Sequence, residues 1–213
     1  MTGALLFDMD GTLIDSEPIW HDQMRAFARE QRFEWTAADN HWTTGRPMIE
    51  WGERMRERGA ALEPAQVVAT IAGRVAELVR QDVPWLPGSL ALLERVASAG
   101  IPAALITNAS AENARALLEA APAGSLRFAI AADDVERSKP DPEPYTTAID
   151  RLGATAAASI AFEDSSSGAR SATAAGARLW FLTTQLTESP VPAERTYGTL
   201  ADIDPGELFA QLG

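Results

Sequence analysis

Two acidic pairs in this sequence each follow a short apolar run. Asp8 and Asp10 follow ALLF, and Glu163 and Asp164 end SIAFED. Because neighbouring carboxylates repel one another and are costly to bury unpaired, a divalent cation is their usual partner. Mg²⁺ prefers oxygen ligands and commonly takes one or two carboxylates together with a substrate phosphate. Each pair by itself also occurs in turns and loops, so the prediction of a metal site depends on the two pairs coming together.

A threonine hydroxyl and a lysine ammonium also come after apolar runs of the sequence. Thr107 and Asn108 end the run AALIT and precede a helix that Ser110 is expected to cap, which offers a hydroxyl and backbone N–H groups to an anion. Lys139, in VERSKPDPEPY, is the only lysine of the chain, although Lys and Arg together number 18. Acidic pairs combined with a lysine and a threonine indicate a site that binds metal and phosphate together.

Short apolar runs and helical segments alternate along most of the chain. The runs are of the length and composition typical of strands buried on both faces of a parallel sheet, and they lie at 4–8, 103–107, 128–134, 159–164 and 178–182. The helical segments lie at 88–100, 110–120, 141–153 and 165–176. This alternation predicts an α/β fold with a doubly wound parallel sheet. In such a sheet the carboxyl ends of the strands meet, so the polar residues described above are expected to converge.

The segment between the first two runs interrupts this alternation. It holds about ninety residues, far more than one crossover helix requires. Residues 16–84 contain several helical patterns, the first expected to be capped by Ser16, and no strand-like run. We therefore predict a helical domain at 16–84, inserted after the first strand into a core made of 1–15 and 85–213.

Composition excludes several classes of function. The net charge is −12 and no stretch is strongly basic, which argues against binding of nucleic acid or of an anionic membrane surface. The chain has no cysteine, which excludes disulfides, a thiolate nucleophile and a cysteine-based zinc site. No signal peptide or membrane-span pattern is visible. We expect a cytoplasmic protein and, since no coiled-coil pattern demands a partner, a monomer.

Four motifs, taken in order, resemble those of the haloacid dehalogenase (HAD) superfamily. They are DMDGT, ITN, the lysine of SKPDP, and FEDSSSGARSATAAG. The resemblance covers nearly the whole chain, and DSEP at 15–18 and the helical insert resemble the β-phosphoglucomutase-like branch with its helical cap. It implies a Rossmannoid core and Mg²⁺-dependent chemistry on a small-molecule phosphate ester.

The resemblance implies a role for each motif residue. Asp8 would attack phosphorus to form an aspartyl-phosphate. Asp10 would protonate the leaving alkoxide and then activate the hydrolytic water. Thr107 and the backbone of Asn108 would hold phosphoryl oxygens, and Lys139 would neutralise charge between the phosphate and the nucleophile.

The same resemblance implies a metal site. Asp164 would ligate Mg²⁺ together with the Asp8 carboxylate and the Asp10 carbonyl. Glu163 would be either a further ligand or an acid just behind the ligands.

Three other kinds of protein with related chemistry are alternatives to a phosphatase. A dehalogenase would not need Asp10 or the second acidic pair, and a response-regulator receiver lacks the insert. A sugar-phosphate mutase is the strongest alternative to a phosphatase, but mutases of this branch use a histidine and a lysine of the cap. Here the insert has no lysine, and His21 lies one position later than that histidine, where Trp20 stands. This favours hydrolysis, and an inactive phosphate-binding module remains a further alternative.

The insert is expected to select the substrate. Its candidate contacts are Trp20, His21, Trp42, Thr44, Gly45 and Arg46. Indole faces stack on sugar rings and a guanidinium binds hydroxyls or a second anion, which suggests a small phosphorylated sugar or polyol. The alternative is that the tryptophans only pack within the insert.

Overall fold

A six-stranded parallel sheet forms the centre of the protein. A computed structural model describes residues 3–43 and 46–212. The strands are β1 Leu5–Phe7, β2 Ala103–Ile106, β3 Ala129–Ile130, β4 Ile160–Glu163, β5 Arg178–Leu182 and β6 Arg195–Tyr197. They lie in the order β3-β2-β1-β4-β5-β6, and every neighbouring pair is parallel. The predicted doubly wound sheet is confirmed.

The strands are apolar without alternation because helices cover both faces of the sheet. In β1, Leu5 and Phe7 pack into one hydrophobic cluster, whereas Leu6 packs into another on the opposite face. All three are fully buried. The ring of Phe7 also stacks on that of Phe162 in β4, with 4.9 Å between ring centroids. The central strand that carries the first acidic pair is therefore held rigidly from both sides.

Two strand predictions need correction. The run at 128–134 forms only the two-residue strand β3, because the Asp134 carboxylate accepts a hydrogen bond from the backbone N–H of Ala131 at 2.8 Å and turns the chain. Strand β6 was not predicted, since it has only three residues and no apolar run. As the last strand of the sheet it is partly exposed, and exposed edge strands lack the apolar signal of central ones.

In the part of the chain that the structure describes, the helices follow the predicted segments closely, with two additions at 37–43 and 205–210. They are α1 Glu17–Gln31, α2 Ala37–Thr43, α3 Met48–Arg58, α4 Pro64–Gln81, α5 Ser89–Ala99, α6 Ala111–Ala120, α7 Glu143–Leu152, α8 Ser166–Ala174 and α9 Pro205–Ala210. None of these described helices combines the length and apolar character needed to cross a bilayer. We call α1–α4 (residues 17–81) the helical insert; no strand occurs among its described residues.

The helical insert has its own buried side chains and also packs on the sheet-bearing part of the chain. Met24, Phe27, Met55 and Val75 are buried among α1, α3 and α4. Helix α4 lies against α6, where the buried Asn113 amide donates to the backbone carbonyl of Ala72 at 3.1 Å. The division of the chain into domains at residues 15/16 and 84/85 stays a prediction.

Helix α2 was not predicted, because its sequence AADNHWT is short and mostly polar. A buried carboxylate holds it in place. Asp39 accepts hydrogen bonds from the Thr36 backbone N–H at 2.9 Å and from its hydroxyl at 2.7 Å, at the start of α2. Arg54 and Arg58 of α3 each approach the other carboxylate oxygen to 2.7 Å. Asp39 therefore joins α2 to α3.

Replacing Asp39 with Asn is expected to destabilise the protein in a pH-dependent way. Burial raises the pKa of Asp39, but the hydrogen bonds from Thr36 and the two arginines outweigh burial and lower the pKa from 3.8 to about 2. A depressed carboxyl pKa contributes stability above the unfolded-state value and loses it as pH falls toward the folded-state value. The shift corresponds to about 2 kcal/mol of unfolding free energy at pH 7.

Urea denaturation of Asp39→Asn and the parent protein between pH 7 and pH 3 measures this effect. We expect the difference between the two proteins to shrink as pH falls from about 4 toward 2. Asp22→Asn is the matched control, because Asp22 lies in the same insert with a side chain 67% exposed and pairs only with Arg25 at its surface; its cost should stay within about 0.5 kcal/mol. An equal loss for Asp39→Asn at every pH would contradict a charge-based role.

Candidate active site

The order of the strands brings the predicted acids and hydroxyl together. Strands β2 and β4 flank β1 on either side. Asp8 directly follows β1, Thr107 follows β2, and Asp164 follows β4. Because all three strands run in the same direction, their carboxyl ends lie at one edge of the sheet. The convergence expected from the sequence is therefore present.

Lys139 connects the two acidic pairs. Its ammonium donates to Asp8 Oδ1 at 2.6 Å, to Glu163 Oε1 at 2.5 Å and to the Ile106 carbonyl at 2.8 Å. The residue is 5% exposed. Burial alone would lower the pKa of Lys139, but the charges of Asp8 and Glu163 outweigh burial and raise it above its usual value. The lysine is therefore a permanent, fully hydrogen-bonded cation beside Asp8.

The backbone of this lysine is held by an asparagine side chain. The Asn108 amide donates to the Lys139 carbonyl at 3.1 Å, and its oxygen accepts from the Lys139 N–H at 3.0 Å. This pair of bonds connects the loop after β2 to the segment before α7. The Asn108 side chain thus anchors the lysine, a role that the prediction for its backbone did not include.

Asp8, Glu163 and Asp164 form a buried acidic cluster. One oxygen from each lies within 4.8 Å of the others. Burial, and then the charge of Glu163, raise the pKa of Asp8 to about 8 although Lys139 opposes the rise. Burial and the charges of Asp8 and Glu163 likewise raise the pKa of Asp164 well above its usual value. Three carboxyl groups face one ammonium, so ionisation of all three would leave an excess of negative charge that a divalent cation would offset.

One carboxylate oxygen in this cluster has no protein partner. Asp164 Oδ1 is buried and unpartnered among the described residues. Its other oxygen, Oδ2, lies 3.2 Å from the Thr184 hydroxyl, which is also 2.5 Å from the Gly11 carbonyl. Gly11 has a φ of 82°, and a Cβ there would lie 1.9 Å from Asp164 Oδ2. Asp164 is thus held in place through one oxygen, while its other oxygen is buried and available. Such a carboxylate is a suitable ligand for a hard divalent cation such as Mg²⁺.

Asp10 is tied to the start of the helical insert. Burial raises its pKa, while the Ser16 hydroxyl, the charge of Lys139, and hydrogen bonding by Thr107 and Trp20 oppose the rise. The Ser16 hydroxyl donates to Asp10 Oδ1. Ser16 stands at the beginning of α1 but its side chain makes no capping hydrogen bond, so the expectation of a Ser16 side-chain cap was wrong. The Ser16 hydroxyl is directed at the Asp10 carboxylate and accepts no hydrogen bond from the first turn of α1.

The candidate contacts of the insert have partners of their own. Trp20 is buried and meets Trp51 edge-on, with 5.8 Å between ring centroids. Arg46 and Arg54 each place a guanidinium 4.4 Å from the centre of the Trp42 ring. These two tryptophans have packing roles within the insert, and contact with a substrate stays a prediction for both.

The remaining members of that set are less enclosed. Arg46 pairs with Glu50 at 3.0 Å across one helical turn. His21 lies 3.7 Å from Glu17, and burial lowers its pKa. Thr44 and Gly45 lie outside the described residues.

Two residues of the site were not singled out from the sequence. Tyr145 donates to Glu163, and Thr184 contacts Asp164. The tyrosine lies six positions after Lys139, in the motif that drew attention to the lysine, although no spacing rule pointed to it. Thr184 belongs to the loop after β5 and offers no signal in the sequence, because only the sheet brings that loop beside Gly11.

A parallel α/β core with a buried lysine between two acidic pairs at its carboxyl edge defines the HAD class of enzyme cores. The family model for haloacid dehalogenase-like hydrolases matches residues 2–176 of the 213. The chain belongs to the haloacid dehalogenase-like hydrolases. The resemblance inferred from the four motifs is confirmed.

Phosphatases and CbbY proteins are among the known proteins similar to this chain. Protein CbbY of Rhodobacter capsulatus is 34% identical over 188 residues, which cover 83% of each chain. Validoxylamine A 7'-phosphate phosphatase of Streptomyces hygroscopicus subsp. limoneus is 34% identical over 185 residues, again 83% of each chain. A crystal structure of a CbbY variant from Rhodobacter sphaeroides, in complex with xylulose-1,5-bisphosphate, has a TM-score of 0.81 and 26% identity and covers 95% of this chain and 96% of its own.

Proposed function

We propose that this protein is a phosphoric monoester hydrolase that uses Mg²⁺ and an aspartyl-phosphate intermediate to hydrolyse a small phosphorylated sugar or polyol. The observation that carries the proposal is the contact of the Lys139 ammonium with Asp8 and Glu163, beside the free oxygen of Asp164. Such an arrangement removes the repulsion that a carboxylate meets when it approaches a phosphate dianion. The substrate class is supported by relatives named hexitol phosphatase and phosphorylated carbohydrates phosphatase, and by the CbbY structure that binds xylulose-1,5-bisphosphate.

The proposed reaction uses Asp8 and Asp10. An oxygen of Asp8 attacks phosphorus, the bond from phosphorus to the substrate oxygen breaks, and Asp10 supplies the proton that the leaving alkoxide needs. Asp10 then takes a proton from water, which attacks the aspartyl-phosphate and releases inorganic phosphate. The elevated pKa of Asp10 suits a group that must both give and accept a proton.

In this proposal different residues would hold the phosphate and the metal beside the nucleophile. Thr107 and the backbone N–H of Asn108 hold phosphoryl oxygens. Asp8, the Asp10 carbonyl and Asp164 would hold Mg²⁺, with Glu163 as a further ligand or an acid behind them. When bound, Mg²⁺ supplies positive charge to the phosphoryl oxygens and lowers the repulsion between phosphate and carboxylate.

We assign the helical insert to substrate selection. Ser16, which directly precedes its first helix, donates a hydrogen bond to Asp10, so movement of the insert would change the surroundings of the acid–base group. The set of candidate contacts is the one predicted from the sequence: Trp20, His21, Trp42, Thr44, Gly45 and Arg46. In this proposal residues 16–84 act as a cap over the core (1–15 and 85–213), and the enzyme is a cytoplasmic monomer with no nucleic-acid or membrane partner.

Phosphate release from p-nitrophenyl phosphate and from a panel of sugar and polyol phosphates tests the proposal. We expect turnover with Mg²⁺, its loss with excess EDTA and its return when Mg²⁺ is restored. β-Glucose 1-phosphate should give inorganic phosphate rather than glucose 6-phosphate, because the insert has no lysine to assist a mutase reaction.

Two other results would contradict the proposal in different ways. Efficient formation of glucose 6-phosphate would indicate a mutase. Lack of turnover of every ester in the presence of Mg²⁺, by a protein shown to be folded, would indicate an inactive binding module.

A further inference from the structure

Tyr145 is a buried phenol at the active site that has no part in the reaction proposed above. It lies on α7 and is fully buried. Its hydroxyl donates to Glu163 Oε1 at 2.5 Å, and the centre of its ring lies 5.2 Å from the Lys139 ammonium. The hydroxyl of Tyr145 and the ammonium of Lys139 therefore bind the same carboxylate oxygen.

Glu163 is fixed by donors on both of its oxygens. Oε1 accepts from Tyr145 and from Lys139, each at 2.5 Å. Oε2 accepts from the Ser165 hydroxyl at 3.1 Å. The carboxylate also packs on the backbone of Gly168, where an added Cβ would lie 1.9 Å from Oε2. Glu163 therefore has one available orientation, and Tyr145 supplies one of the three bonds that define it.

The orientation of Glu163 controls the position of the lysine. The Lys139 ammonium has three acceptors, and two of them are the carboxylates of Asp8 and Glu163. If Glu163 moves, the ammonium follows it, because two opposite charges at 2.5 Å in a buried site attract strongly. A displacement of the cation from Asp8 weakens its stabilisation of the charge that develops on phosphate, and such errors of placement lower turnover.

We propose that Tyr145 is a positioning residue that acts through Glu163 to hold the Lys139 ammonium against Asp8. Tyr145 itself touches neither substrate nor phosphate in this scheme. The effect on turnover rests on the proposed phosphatase function. The effect on the position of the ammonium is a property of the protein alone, so the two can be tested separately.

The variant Tyr145→Phe removes the hydroxyl and keeps the ring. Loss of a hydrogen bond to a buried charged group is expected to lower kcat about tenfold, with KM within about twofold because the substrate is not contacted. The chain has two tyrosines, so Tyr197→Phe is the matched control. The Tyr197 hydroxyl accepts from Arg195 at 3.3 Å on the edge strand β6, which lies three strands away from β1 in the sheet. This control should leave kcat unchanged.

A measurement without substrate reads the position of the cation directly. Lys139 is the only lysine, so protein labelled with ¹⁵N-lysine has one lysine ammonium to observe by NMR. In the parent protein and in Tyr197→Phe, we expect a single ammonium signal that exchanges slowly with water, because all three N–H groups are hydrogen-bonded. In Tyr145→Phe the signal should shift and exchange faster.

The outcomes separate the two proposals. A kcat close to the parent value, or a lowered kcat with an unchanged ammonium signal, would overturn the positioning role of Tyr145. If the parent turned over no ester, the phosphatase proposal would fail, and the NMR comparison would still decide whether Tyr145 positions the lysine. Thermal unfolding of each variant establishes that the compared samples are folded.

Discussion

Replacing Asp8 with Asn is expected to lower phosphate release by about ten-thousandfold or more, as removal of a nucleophile generally does. The amide nitrogen of Asn has no lone pair available for attack on phosphorus, and the amide oxygen carries little charge. The substitution also removes one of the two carboxylates that Lys139 contacts. We expect the loss in kcat rather than in KM, because Asp8 acts in the chemical step.

The loss of activity in Asp8→Asn should not come from unfolding. Burial and repulsion by Glu163 raise the pKa of Asp8 to about 8, which means that its charge is unfavourable in the folded protein without added cation. Removing that charge is therefore expected to leave the melting temperature unchanged or to raise it. Asp15→Asn is the matched control, because Asp15 is exposed and lies in the same segment. Residual turnover within a hundredfold of the parent would show that Asp8 is not the nucleophile.

Replacing Lys139 with Arg is expected to lower kcat by about a hundredfold to a thousandfold, although the charge is kept. The ammonium has three acceptors within 2.8 Å and is almost completely enclosed. A planar guanidinium is larger, and it cannot direct three N–H groups toward the same three oxygens. The cation would therefore lie at a different distance from Asp8 and from the phosphate.

The reverse exchange nearby provides the control. Arg137→Lys changes a side chain that is 70% exposed and that pairs at the surface with Asp141 and Glu143. We expect this variant to retain kcat, because exposed ion pairs contribute little and the site is not contacted. Steady-state kinetics and circular dichroism of both variants measure the effect. Turnover by Lys139→Arg within about threefold of the parent would show that charge alone, rather than its placement, is required.

The central strands and the polar residues at their ends could be predicted from the sequence. A strand that is buried on both faces of a sheet must be a short and continuous apolar run, which is easy to recognise. The run ALLF must be apolar throughout to lie between two helical layers. Carboxylates such as Asp8 and Asp164 at the ends of such runs are conspicuous for the same reason. Strand β6 was missed because it lies at an edge, helix α2 because Asp39 rather than its own composition holds it, and helix α9 because it has only six residues.

Contacts between distant segments could not be predicted in this way. The Asn108 side chain binds the backbone of Lys139, and Thr184 binds Gly11 across 173 positions of sequence. The Ser16 hydroxyl turned to Asp10 although its position at a helix start favoured a cap. In each case the side chain bonds to a partner that comes within reach only when the protein folds.

Residue types and their order were enough to establish an α/β fold, a family of hydrolases and the set of acids, hydroxyl and lysine at the centre of its site. These follow from periodicity and from short motifs, which are local properties of the chain. The tertiary structure decided how those groups are held: which oxygen of Asp164 stays free, and how Tyr145 and Glu163 direct Lys139 toward Asp8. Such arrangements depend on hydrogen bonds between segments far apart in sequence, and their geometry is settled only when the strands pack side by side.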